Sequence, residues 1–249
     1  MDSLSDKNPL VKQIRRAVSR GTLTEDGYAV AEGFHLLEEA LASKREIGAV
    51  IVSQTAREMP HLPQTRVVSE KTFRDLSSTE SPQGVIALVR PPAWTLDQIL
   101  SGCALVVVLD GVQDPGNAGA ILRAAEAFGA TGAVFLKGTV NPYNPKCLRG
   151  SAGSVFRLPI VMDADLTGLR LYAAMPRARQ TIDDADFRGP CGIVIGSEGH
   201  GVSAALETRV MGVRIPTSGV ESLNAAVAAG IMLYEARRQR TQGITQRKQ

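Results

Sequence analysis

Leu109-Asp-Gly-Val-Gln-Asp-Pro-Gly-Asn-Ala-Gly-Ala-Ile-Leu-Arg123 continues the apolar run Ala104-Leu-Val-Val-Val-Leu109. An unbroken β-branched run is the pattern of a strand buried on both faces of a parallel sheet. The cluster of Gly, Pro and Asn then turns the chain, and the alanine-rich stretch that follows reads as a helix. Strand, polar turn and helix in that order place ligand-facing groups at the carboxyl end of a strand. The plan recurs in Ile193-Val-Ile-Gly-Ser-Glu-Gly-His-Gly201 and in Ile215-Pro-Thr-Ser-Gly-Val-Glu-Ser-Leu-Asn224. Three such strand ends predict one composite site in an α/β domain.

Outward from these stretches, the pattern predicts strands over 133–136, 170–174, 191–195 and 212–215, with helices over 117–128, 146–154 and 222–240. Gly129 is the expected left-handed stop of the first helix. Leu223, Val227, Ile231 and Tyr234 are the expected inner face of the last. The N-terminal third reads as a separate α/β module. It has helices over 8–20, 32–41 and 70–76 and strands over 27–30, 48–52, 66–68 and 85–89, with Phe34, Leu37 and Leu41 on one helical stripe. Arg90-Pro-Pro-Ala-Trp-Thr reads as a linker, since consecutive prolines hold a chain extended. The expected division is 1–90, a linker over 91–102, and 103–249.

The 249 residues are 44% hydrophobic and 21% charged, as in an ordinary globular protein. No apolar run approaches the roughly 18 residues of a membrane helix. The first residues lack the features of a signal peptide, so a cytoplasmic protein is expected. Cys103, Cys147 and Cys191 stand alone, with neither CxxC spacing nor a histidine partner, so no metal site and no disulfide framework is expected. The net charge of +3 gathers partly at the ends, in Lys12-Gln-Ile-Arg-Arg16 and in Arg237-Arg-Gln-Arg240 to Arg247-Lys248. Such basic ends suit RNA, with Arg15 and Arg16 as candidate contacts, and they suit plain solvated helices equally well.

The turn after Leu109 is not a dinucleotide fingerprint. G-x-G-x-x-G is missing, and Lys137 stands where a ribose-binding acid belongs. A phosphate-binding P-loop is absent too. What remains is Asn117-x-Gly-x3-Arg123. With a helix starting near Asn117, the asparagine caps it and Arg123 lies almost two turns in. A ligand-binding pair and an ordinary cap with a surface arginine both fit that segment alone. Glu198 sits in a loop whose glycines permit close backbone approach to a ligand. Ser222 and Asn224 fall at the start of the last helix, where capping is the competing account.

Taken together, the three stretches resemble the signature motifs of the SpoU (TrmH) family of RNA ribose 2′-O-methyltransferases, in the SPOUT superfamily. The resemblance spans 104–240. Glu32-Gly-Phe-His-Leu-Leu-Glu-Glu-Ala-Leu and Ser81-Pro-Gln-Gly-Val are similar to the L30e-like substrate-binding domain that often precedes that core. The resemblance implies a parallel-sheet α/β domain with a deep trefoil knot at its C-terminal end, behind a small L30e-like α/β domain. It implies S-adenosylmethionine as cofactor, held in the knot loops by Ile195, Gly196, Gly201, Ile215, Ser222 and Leu223. Asn117, Arg123, Glu198, Ser222 and Asn224 match the catalytic positions, and Arg149 falls where similar proteins place an RNA-contacting arginine. No metal is required.

The implied reaction moves the sulfonium methyl to a ribose 2′-hydroxyl of RNA, ribosomal RNA before transfer RNA, in a homodimer joined through the knotted domain. A guanidinium stays protonated in water and has no acceptor. Arg123 is therefore expected to hold a phosphate and stabilise developing alkoxide charge rather than act as a base. The competing readings are a tRNA 2′-O-methyltransferase, a small-molecule or base methyltransferase, and a non-catalytic dimeric RNA-binding scaffold.

Overall fold

A computed structural model of the chain describes residues 3–245. They form two compact units, one running to Ala93 and taking in Asn141–Arg157, the other built from Trp94–Val140 and the chain from Leu158 onward.

The first unit contains β1 (Ser3–Leu4), α1 (Pro9–Arg20), β2 (Ala29–Glu32), α2 (Phe34–Ala42), β3 (Ile47–Ser53), β4 (Thr65–Val68), α3 (Glu70–Leu76) and β5 (Val85–Val89). Asn8 caps α1 by accepting from the Leu10 N–H, Pro9 occupies the first turn, and Gly21 closes the helix in the left-handed region. The sheet order is β1-β4-β3-β5-β2, with β5 antiparallel to both neighbours. Ile14, Ile51, Phe73, Leu76 and Ile86 fill the core between the sheet and α1 and α3. Gly33, at φ 106, breaks the chain between β2 and α2. That break shifts strand and helix about two residues beyond the boundaries the pattern predicts. It also turns Leu36, Leu37 and Ala40 inward, leaving Leu41 exposed and dissolving the expected Phe34–Leu37–Leu41 stripe.

The second unit opens inside the expected linker. Thr95 and Gln98 form a reciprocal capping box at α4 (Leu96–Leu100), and Ile99 is fully buried. Then come β6 (Leu105–Asp110), α5 (Pro115–Ala127) and β7 (Gly132–Phe135). α6 (Pro145–Ser151) lies in the segment that packs with the first unit. The second unit resumes with β8 (Ile160–Met162), β9 (Arg170–Ala174), β10 (Gln180–Thr181), β11 (Cys191–Gly196), α7 (Ala204–Glu207), β12 (Val210–Arg214) and α8 (Ala225–Thr245). All seven strands are parallel, in the order β10-β12-β9-β11-β6-β7-β8. β8 and β10 form the two edges and are too short to carry a periodic signal.

α8 corrects one sequence expectation. Its buried face is Ala225, Ala228, Ala229, Met232, Leu233 and Ala236, whereas Val227, Ile231 and Tyr234 are 50%, 37% and 56% exposed. Alanines let the helix lie close to α5 and β11, a position the bulkier stripe would not reach. Arg240 donates to the carbonyls of Cys103, Ala104, Phe187 and Gly189, so it fastens α8 near the start of β6 and β11. Arg247 and Lys248 lie outside the described residues.

Candidate active site

β6 and β11 are adjacent and in register, with Ile195 opposite Leu109 and Gly196 opposite Asp110. The first and second motif loops therefore leave the sheet side by side. α5 starts earlier than the sequence suggests. Asp114 is its cap, accepting from the Asn117 N–H at 2.7 Å, and Pro115 takes the first helical position. Asn117 is thus inside the first turn, and its side chain is released from capping.

That side chain joins the three motifs. Asn224 caps α8, its Oδ1 accepting from the Ala226 and Val227 N–H groups at 2.9 and 3.3 Å. Its Nδ2 donates to Asn117 Oδ1 at 3.0 Å, and Asn117 Nδ2 donates to Glu198 Oε1. The direction of the chain is forced. With its oxygen committed to helix amides, Asn224 must donate; Asn117 must then accept, which leaves its NH2 for the carboxylate. Arg123 is exposed further along α5, and its side chain makes no hydrogen bond or ion pair among the described residues. Ser222 is also exposed.

The loop that carries Glu198 is tightly built. Ser197 and Gly201 exchange both backbone hydrogen bonds at 2.9 Å, and the buried Asp110 accepts from the Ser203 N–H at 2.6 Å. A Cβ on Gly196 would lie 2.2 Å from the Gly201 carbonyl carbon. Gly196 therefore lets two segments of this chain approach each other, a use of glycine that the pattern does not separate from approach to a ligand.

Ile215, Ser222 and Leu223 line a cavity of about 60 Å3 together with Ala174, Met175 and Pro176. It adjoins a cleft of about 1150 Å3 that shares Ala174, Met175, Pro176, Glu221 and Ser222 and is also lined by Gly201 and His200. Ile195 is buried within β11 and, like Gly196, lines neither space.

In the first unit, Arg149 of α6 is engaged. Its Nη1 lies 3.4 Å from a carboxylate oxygen of buried Glu32 and 2.5 Å from Ser78 Oγ. Glu32 also accepts from Ser77, from Thr79 and from both the N–H and hydroxyl of Ser78. Arg16 pairs with Glu25 at 2.7 Å, and Arg15 lies 3.9 Å from Asp75. This unit holds its own cavity, about 630 Å3, beside Phe34, His35, Arg57 and Gln83. Glu70 borders it, and hydrogen bonds from Ser53, Thr55 and Arg74 hold its carboxyl down at about 2. Among the described residues, no group of three or more His, Cys, Asp or Glu is placed to hold a metal ion.

Comparison with known proteins gives this geometry its frame. The model of the SpoU rRNA Methylase family matches residues 104–234. The chain belongs to the SpoU family. A second model, the MRM3-like substrate binding domain, matches residues 8–87. An uncharacterised tRNA/rRNA methyltransferase of Synechocystis is 38% identical over 94% of this chain and 93% of its own length. The 23S rRNA (guanosine(2553)-2'-O)-methyltransferase RlmP of Bacillus subtilis is 32% identical over 94% of this chain and 98% of its own. The SpoU methyltransferase AviRb of Streptomyces viridochromogenes, crystallised with AdoMet, superposes with a TM-score of 0.83 at 29% identity, covering 94% of this chain and 99% of that one.

Within this SpoU chain, sequence reasoning overlooks Asp114 and Asp110. Asp114 was findable, as an acid directly before a proline at a helix start. The sign of Asp110 is subtler: a lone charge closing a wholly apolar strand.

Proposed function

We propose that this SpoU family chain transfers a methyl group from S-adenosylmethionine to a ribose 2′-hydroxyl of RNA, with ribosomal RNA preferred over transfer RNA as substrate. The observation that carries the reading is the hydrogen-bonded series Glu198–Asn117–Asn224, which joins one residue from each motif.

The residues present suit the cofactor. Ile215, Leu223, Ala174 and Pro176 supply apolar walls for an adenosyl group, Ser222 a free hydroxyl, and Glu221 a negative charge compatible with a sulfonium. The small cavity takes only one end of such a molecule, and the rest extends into the part of the adjoining cleft that shares Ala174, Met175, Pro176, Glu221 and Ser222 with it. When bound, the cofactor supplies an electrophilic methyl group. The chain's part is alignment and charge. Asn117 and Asn224, locked in one orientation, position the ribose, while Glu198 fixes the loop and stands ready for a hydroxyl proton. Arg123, free of internal partners, holds the adjacent phosphate and stabilises the developing alkoxide.

We propose further that the chain works as a homodimer, with the exposed Val227, Ile231 and Tyr234 of α8 forming an apolar stripe at the interface. The loops at 195–201 and 215–224 are assigned to the family's trefoil knot. In support, the chain passes from β11 beyond β9 to β12 and then returns, so that α8 packs on α5 and β11. The N-terminal unit is assigned to holding the RNA substrate. No helix among the described residues is long and apolar enough to cross a membrane, and a cytoplasmic site of action fits an enzyme of ribosomal RNA.

The test is methyl transfer from labelled S-adenosylmethionine to ribosomal and transfer RNA from a host lacking this gene, followed by digestion and mass spectrometry. One 2′-O-methylnucleoside in ribosomal RNA is expected. The same product in transfer RNA would reassign the substrate. Failure to bind the cofactor at all would favour a non-catalytic RNA scaffold.

A further inference from the structure

Part of the positive charge that the sequence nominates for RNA is engaged elsewhere. Arg16 and Arg149 are paired with acids, Arg238 pairs with Glu235, and Arg240 binds backbone carbonyls. Among the arginines left unpaired, two share one turn. Arg177 and Arg179, in the turn after β9, are exposed and make no hydrogen bond or ion pair among the described residues.

The turn that bears them is anchored at both ends on one residue of β12. The Met175 N–H donates to the Val213 carbonyl at 2.9 Å, and Gln180 of β10 pairs in register with Val213. Between these points the turn lies over Gly212. A Cβ there would come 3.0 Å from Met175 Sδ and 3.2 Å from Ala178 Cβ. Ala178 thus faces the sheet, and the residues on either side of it extend from a supported backbone.

Both arginines line the 1150 Å3 cleft, together with His200, Gly201 and Ser222 of the motif loops. Neither lines the small apolar cavity. The cleft also contains Glu207 and Glu221, and neither acid pairs with them. Guanidiniums that remain unpaired beside carboxylates are available to an incoming anion, and their planar forks match phosphate oxygens.

We propose that Arg177 and Arg179 grip the phosphates of the RNA strand flanking the methylated nucleotide. The proposal rests on the reading of the chain as an RNA methyltransferase. It adds a phosphate-binding turn outside all three motifs.

The experiment compares the full-length protein with the Arg177→Ala/Arg179→Ala and Arg177→Lys/Arg179→Lys double variants. Affinity for a mixed-sequence single-stranded RNA is measured across a salt series, and cofactor affinity by calorimetry. Each phosphate contact contributes about 0.7 to the slope of log K against log salt for a single strand, so the alanine variant should lose about 1.4. Its RNA affinity at low salt should fall by about tenfold or more, and the lysine variant should recover most of the slope. Cofactor affinity should stay unchanged. An unaltered slope overturns the proposal, and so does a loss of cofactor affinity, which would place the arginines on the cofactor carboxylate. A wild-type chain that binds cofactor without salt-dependent RNA affinity also overturns it. A wild-type chain that binds neither overturns the underlying functional reading instead.

Discussion

Asp110 Oδ2 accepts a hydrogen bond from the Ser203 backbone N–H at 2.6 Å, tying the end of β6 to the far side of the loop that carries Glu198. Asp110 is 5% exposed, so its removal leaves a part-buried N–H without an acceptor. Asp110→Ala should cost about 2 kcal/mol of stability and lower turnover, while Asp110→Asn keeps an acceptor oxygen and most of the activity. If Asp110 acts by placing Glu198, its loss should matter much less in a Glu198→Gln background. A double-mutant cycle on methyl transfer checks this, and additive losses would refute the link.

A lysine at position 123 separates the phosphate holding proposed for Arg123 from its proposed part in catalysis. Arg123→Lys keeps a positive charge and loses the planar fork. RNA affinity should stay within a fewfold while kcat falls by about 10- to 100-fold, less than the roughly 100- to 1000-fold for outright loss of a charge-stabilising donor because lysine keeps the charge. Steady-state kinetics with binding assays decide it, and full turnover in the variant would exclude the role.

Arg149 and Glu32 make a different case, in the first unit. Glu32 has a side chain only 4% exposed, and Arg149 is its cationic partner. Removing one member of a buried pair costs about 3–5 kcal/mol, and the hydroxyls around Glu32 place this pair near the lower figure. Arg149→Ala should lower the melting temperature and speed amide exchange over residues 77–79. Unchanged exchange there would show that the arginine does not hold this loop.

Ile231 lies mid-stripe on α8, 37% exposed beside Val227 and Tyr234. Ile231→Glu would bury a charge in the proposed dimer interface, and light scattering should then find monomers that remain folded. A variant that stays dimeric would move the interface elsewhere.

Acid should weaken the first unit through Glu70. Its carboxyl sits at about 2 in the fold, against an ordinary value of 4.5, because Ser53, Thr55 and Arg74 hydrogen-bond the charged form. A depressed pKa means that the unfolded chain binds the proton more readily. The stabilisation is therefore complete above about pH 4.5 and disappears as pH falls towards 2. Glu70→Gln should flatten that acid limb in pH-dependent thermal melts, and an unchanged limb would assign it to other carboxylates.

Much of this was legible in the chain itself. β5, β9 and α3 coincide with the sequence boundaries because each is an uninterrupted pattern bracketed by Gly, Ser or Pro. The order of the three motifs identified the SpoU family. β8 and β10 were not legible, since edge strands of three and two residues exist only through their partners. The inner face of α8 was misread because a helix rich in alanine buries whichever side fits closest, and hydrophobicity alone favours the bulkier side.

The amino-acid order alone determined the α/β plan and the strand–turn–helix character of the three motifs, because local backbone preference and apolar periodicity operate within a few residues; that Asn141–Arg157 folds with the first unit was decided by tertiary packing. Tertiary structure decided what those residues touch. Asn117 and Glu198 are separated by 81 positions, Asn117 and Asn224 by 107, and Asp110 and Ser203 by 93. Contacts at such separations depend on strand order and register, and no local pattern encodes them. The same dependence released Asn117 from capping, turned Gly196 against the chain's own backbone, and left the side chains of Arg177 and Arg179 without partners among the described residues.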